Sequence, residues 1–165
     1  MSDTVRELLI TGLQNAHGME SQAQEILERQ VERMEKYPEL RARLREHLRE
    51  TKEQLKRLEK CLENLDSRPS TIKDSIMAFG SNIAAMGHAM ARDEVLKNTF
   101  ANNALENYEI AAYKSLIAMA ETAGIRMKTV LQESLREEER MADWVAKNVE
   151  KITAEYIRKE EKTAA

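Results

Sequence analysis

Glu46-His47-Leu48-Arg49-Glu50 returns, with one substitution, as Glu133-Ser134-Leu135-Arg136-Glu137 about half a chain later. Upstream of each copy lies a second related pair of segments, His17-Gly18-Met19-Glu20 and Glu106-Asn107-Tyr108-Glu109. Each segment carries a polar residue and, three positions on, a glutamate. On a helix that spacing puts both side chains on one face, about 60° apart and roughly 4.5 Å along the axis. Glu20 and Glu109 are 89 residues apart, and Glu50 and Glu137 are 87 apart. Two tandem helical hairpins with a pseudo-twofold relation follow. Four such helices can point a ring of carboxylates at one another, which is how a bundle holds two metal ions.

The hydrophobic pattern outside these segments agrees. Aromatics are 4% of the 165 residues, charged residues 33%, and only two prolines and five glycines interrupt the chain. Such a composition favours long helices over strands. Apolar residues at Val5, Leu9, Leu13, Ala16, Ala23, Leu27, Val31 and Met34 predict a first helix over about 3–37, with Glu20 filling a gap in the stripe. Pro38 is suited to the first turn of a second helix, to about 66, striped by Leu40, Leu44, Leu48, Leu55, Leu58, Leu62 and Leu65. Short Met- and Ala-rich helices over about 71–91 make a crossover. A third long helix spans 93–122, stopped by Ala123-Gly124, and a fourth spans 125–159, with Glu137 or Glu138 in the break of its stripe. The expected architecture is all-α, a single four-helix-bundle domain over 1–165 made of two hairpins joined by the short-helix crossover.

The net charge of −3, with acids and bases interspersed, offers no basic face for nucleic acid or anionic lipid. No apolar run is long enough to span a membrane, and Met1-Ser2-Asp3-Thr4 lacks the basic region of a secretory signal. Cys61 stands alone, so no intramolecular disulfide forms, and a reducing, cytoplasmic setting is expected.

Chemistry is expected where periodicity aims carboxylates inward. Several buried, ionised glutamates at one level would cost about as much as the whole net stability of a domain, 5–15 kcal/mol, unless neutralised. No lysine or arginine is expected on these inward stripes, and Arg49 and Arg136 read as flanking residues, so bound cations are the expected remedy. The candidate metal ligands are Glu20, Glu50, Glu109, Glu137, Glu106 and His47. Glu20 and Glu109 are expected as terminal ligands, and Glu50 and Glu137 as bridges. Glu106 and His47 would complete the coordination, with Thr51, Gln54 and Tyr113 orienting ligands by hydrogen bonds. Carboxylates with one imidazole suit iron or manganese, with zinc as a further candidate. His17 reads as core or surface rather than ligand, and Cys61 as packed.

Three stretches carry a family resemblance: His47-Leu48-Arg49-Glu50-Thr51-Lys52-Glu53-Gln54, Tyr108-Glu109-Ile110-Ala111-Ala112-Tyr113 and Glu133-Ser134-Leu135-Arg136-Glu137-Glu138-Glu139. They resemble the signature stretches of YciF-like bacterial stress proteins of the ferritin-like superfamily. That resemblance implies a ferritin-like bundle, a homodimer, a cytoplasmic location and a di-iron centre built on Glu20, Glu50, Glu109 and Glu137. The chain departs from ferritins in having His47-x-x-Glu50 rather than Glu-x-x-His, and no histidine on its fourth helix. YciF-like chains also place tyrosine where His17 stands. Two functions remain open from sequence. One is a di-iron stress-response protein with iron-oxidising or peroxide-reducing activity. The other is a non-enzymatic dimeric helical protein without a functional metal centre.

Overall fold

Pro38 sets the first corner of the molecule. The proline ring disfavours helical conformation at the preceding residue, and Tyr37 lies outside the helical region at φ −125°, ψ 74°. In the computed structural model, which describes residues 3–69 and 93–164, helix α1 (Asp3–Arg33) therefore stops four residues short of its expected end. Residues 34–37 form the turn into α2 (Pro38–Glu63). That second helix also ends early. Ser67 N–H donates to the Leu62 carbonyl and Asp66 N–H to that of Glu63, with Asp66 in the left-handed region at φ 53°. This closing turn satisfies carbonyls that a continuing helix would have used.

The second hairpin consists of α3 (Glu94–Thr122) and α4 (Lys128–Ala164). Gly124, at φ 66°, ends α3 with the same pair of bonds, Ile125 N–H to Ala120 and Gly124 N–H to Glu121, at the stop the sequence predicts. The last helix begins three residues later and runs five residues further than expected. Its final turns are supported by a Lys159–Glu155 ion pair and by Thr163 donating to the Lys159 carbonyl. The crossover expected over 71–91 lies outside the described residues.

Helices α1 and α2 pack together, as do α3 and α4, and the hairpins meet through α1 against α3 and α2 against α4. All four seams are antiparallel. Along α1–α3, Arg33 meets Glu94 at one end, and a β-carbon on Gly12 would lie 2.9 Å from Leu116 near the other. Along α2–α4, Glu39 pairs with Lys151 and Arg57 with Glu133. This is the four-helix bundle of two hairpins that the repeat predicts, and the ferritin-like arrangement that the family resemblance implies.

Its core is split in two. One apolar cluster is built around Leu9, Leu13, Leu58, Leu62, Leu116 and Leu131. The other contains Leu27, Leu44, Val95, Met141, Val145 and Ile152. Between α1 and α3, Gln30 and Asn102 are buried and exchange two hydrogen bonds, at 3.0 and 2.8 Å. An unpaired amide there would cost about 1–3 kcal/mol, so the pair fixes the register of these two helices. Between the two apolar clusters lies a layer of buried polar side chains.

Candidate metal centre

Each helix contributes to that layer through the same three-four stepping that places its leucines. On α1, Glu20 follows Leu13 and Ala16 and precedes Ala23 and Leu27. On α2, His47, Thr51 and Gln54 continue Leu40 and Leu44 toward Leu58. On α3 the residues are Glu106, Glu109 and Tyr113, and on α4 they are Ser134 and Glu138. None of these nine is more than 1% exposed, so water is not their partner.

Four of them converge. Ligand atoms of His47, Glu106, Glu109 and Glu138 all lie within 4.8 Å of one another. His47 Nε2 is 3.2 Å from Glu106 Oε2 and 3.5 Å from Glu138 Oε2. Glu20 sits alongside, its Oε1 accepting a 2.7 Å hydrogen bond from the Tyr113 hydroxyl. Several carboxylate oxygens here have no hydrogen-bond partner: both of Glu109, and one each of Glu20, Glu106 and Glu138. Buried polar atoms are ordinarily satisfied, so a group of orphaned oxygens facing one imidazole nitrogen marks a place for a cation. Atoms within 4.8 Å of one another can surround a single ion at 2.0–2.6 Å bond lengths after shifts of a few tenths of an ångström. The residues present fit a metal.

The electrostatics agree. Burial pushes the Glu20 carboxyl up to about 8, although the Tyr113 hydrogen bond opposes it. Burial, reinforced by neighbouring carboxylates, holds Glu109 and Glu138 well above the usual carboxylate range. For His47, burial alone would lower the pKa, but Glu106, Glu50 and Glu138 outweigh it and push it well above the ordinary imidazole value. Without a cation, protons take its place.

The expected ligand set divides. His47, Glu106 and Glu109 come together, and Glu20 lies beside them. Glu50 and Glu137 stand one residue off the inward stripes, at the α2–α4 seam. Glu137, 7% exposed, accepts hydrogen bonds from Arg57 at 2.6 and 3.0 Å and from Gln54 at 2.9 Å. Glu50 accepts from Arg140 at 3.0 Å and from Arg43 at 3.4 Å, while its Oε2 is 3.0 Å from His47 Nδ1. Burial alone would raise the Glu50 carboxyl, but His47, Arg140 and Arg43 bring it down to about 2. The expectation that no arginine reaches these levels does not hold. Arg43 is only 9% exposed, and Arg57 lies along the seam. Arg49 and Arg136 are exposed flanks, as expected.

Glu138 is the interior residue absent from the expected ligand set, which takes Glu137, its neighbour in the break of the stripe, instead. Its signal is the stripe Leu131, Ser134, Glu138, Met141 and Val145, whose steps of three and four pass through Glu138 and miss Glu137. His17 lies outside the cluster, 3.3 Å from Glu59. Cys61 packs in an apolar cluster, where burial raises its thiol to about 11. Among the described residues, no helix is long and apolar enough to cross a membrane.

Fold and site together define a ferritin-like helical bundle with a buried carboxylate–histidine cluster. The chain belongs to the family described as "Domain of unknown function (DUF892)", which matches residues 4–158. A crystal structure of a protein from Xanthomonas campestris pv. campestris is 31% identical and covers 96% of this chain and 99% of its own, with a TM-score of 0.82. YcfI from Rhodopseudomonas palustris is 27% identical, covering 86% and 92%, with a TM-score of 0.76. The E. coli stress protein YciF, 21% identical over 93% and 99%, shares the fold at a TM-score of 0.79. The YciF-like resemblance read from the residues is borne out.

Proposed function

We propose that this protein is a carboxylate-rich metal-binding protein of stress-response type, holding iron at the centre of its bundle. The observation that carries this reading is the group of orphaned, fully buried carboxylate oxygens around His47 Nε2. His47, Glu106, Glu109 and Glu138 would hold the ion, and Glu20 adds donors enough for a second. One nitrogen and many oxygens suit iron or manganese, with zinc as a competitor. Bound iron would supply one-electron chemistry, from which an iron-oxidising or peroxide-reducing activity would follow.

The chain's own part is to keep donors aimed and water out. Tyr113 holds Glu20, and Gln54 holds Glu138. Apolar clusters above and below the layer close it to solvent. The YciF-like likeness adds a cytoplasmic homodimer to this reading. Half-exposed Phe100 and Tyr108 on α3 support association of two copies.

Calorimetry under anaerobic conditions, with ferrous iron added to chelator-treated protein, tests the proposal. Wild type is expected to take up two equivalents, and His47→Ala and Glu138→Ala to lose most of that uptake. Wild type that takes up no iron, manganese or zinc would leave the non-enzymatic helical protein as the better reading.

A further inference from the structure

The repeated five-residue motif places its second glutamate at matching positions on the α2–α4 seam, each gripped by an arginine from the facing helix. Arg140 of α4 donates to Glu50 Oε1 at 3.0 Å. Arg57 of α2 donates to both oxygens of Glu137, at 2.6 and 3.0 Å. Each carboxylate then reaches inward. Glu50 Oε2 meets His47 Nδ1 at 3.0 Å, and Glu137 Oε2 accepts from Gln54 Nε2 at 2.9 Å. The same Gln54 amide group donates to Glu138, while its own Oε1 is buried without a partner.

We infer that Glu50 and Glu137 are positioning residues: two arginine-anchored clasps that aim His47 and Glu138 into the buried cluster. An imidazole has two nitrogens, and the proton on one decides what the other can do. With Nδ1–H donated to Glu50, the ring presents Nε2 to Glu106 and Glu138, and a cation that displaces the Nε2 proton would find the lone pair already aimed at the cluster. Carboxylate partners of this kind fix metal-binding histidines in general. On the other side, Gln54 leaves its oxygen unsatisfied so that its amide nitrogen can hold two carboxylates in place. The repeat thus encodes a cross-hairpin support on each side of the site. Its consequence for metal affinity rests on the proposed metal reading, whereas its geometry does not.

The test uses Glu50→Leu, Glu50→Gln and Glu137→Leu, read by cobalt(II) titration and, without metal, by imidazole nitrogen NMR with His47→Ala for assignment. Gln keeps an acceptor oxygen for His47, and Leu does not. Glu50→Leu is expected to weaken cobalt binding about 10–100-fold at unchanged stoichiometry and to shift the His47 ring signals. Glu50→Gln should restore most of both. Glu137→Leu should weaken binding to a similar degree while leaving the His47 signals in place. Arg140→Gln, which loosens the Glu50 clasp from its exposed end, serves if the leucine variants do not fold, with a shift of the His47 signals expected. Loss of a whole equivalent of cobalt in both Glu50 variants would make Glu50 a ligand and overturn the inference. Unchanged affinity and unchanged His47 signals would reduce the clasps to surface ion pairs. If wild type binds no cobalt, the metal reading fails, and the His47 signals alone still decide whether Glu50 holds the ring.

Discussion

Replacing Glu109 and Glu138 together by glutamine raises the melting temperature of the metal-free protein and removes the further rise that iron or manganese gives to wild type. Both carboxyls are buried and held well above their ordinary range, which means that the folded chain resists ionising them. As a carboxylate, Glu109 finds no donor for either oxygen. Glutamine keeps their size and needs no proton, whereas holding a proton above a carboxyl's ordinary value costs the folded chain about 1.4 kcal/mol per pH unit, or about 1–4 kcal/mol near neutrality. In a chain of this length that amounts to roughly 3–12 °C. Wild type should instead gain from the ion, by about 2.7 kcal/mol when free metal is 100 times the dissociation constant. Scanning calorimetry with chelator and with metal reads both effects. A metal-free double variant less stable than wild type would show that the two carboxylates are structural partners and not a held-open site.

The second large effect is on pH. Metal-free protein should lose stability from about pH 5 to pH 9, and metal binding should strengthen over the same range. Glu20 ordinarily titrates at 4.5 and is raised to about 8 in the fold. Between those values the folded chain keeps a proton that the unfolded chain has released. Its contribution is complete below 4.5 and is lost as pH rises through about 8. Each such proton steepens the decline by about 1.4 kcal/mol per pH unit. Glu109 and Glu138 act in the same direction. So does His47, whose contribution is complete below 6.5 and is lost above its raised value. Glu50, lowered to about 2, opposes them only on the acid side: its contribution is present above 4.5 and is lost as pH falls toward 2. A cation displaces the interior protons, so a loaded protein should show a flattened alkaline limb. Urea midpoints at pH 5, 7 and 9, with and without metal, measure this. A metal-free protein equally stable at all three would mean that the interior carboxylates are already ionised and paired.

Much of the bundle can be read from hydrophobic stepping alone. Glu20, His47, Glu106 and Glu109 fall on three-four stripes of leucine and alanine, and all four are buried. Glu50 and Glu137 are one residue away from those stripes, about 100° around the helix. Apolar periodicity, read to within one residue, aims Glu50 and Glu137 inward, and that one residue is the difference between the interior and the seam. Side-chain reach settles where they rest. An arginine on the neighbouring helix can extend along the seam, and neither Arg57 nor Arg140 announces its partner 80 or 90 residues away. The early end of α2 was hidden for a related reason. Leu65 is buried and extends the leucine stripe, yet it sits in the closing turn beyond Glu63.

Anomalous diffraction at the iron edge from crystals grown with ferrous iron tests the centre most directly. The expected result is a peak between the two apolar clusters, within bonding distance of His47 Nε2 and the carboxylates of Glu106, Glu109 and Glu138. Peaks confined to the surface, with those carboxyls hydrogen-bonded to one another around shared protons, would contradict it.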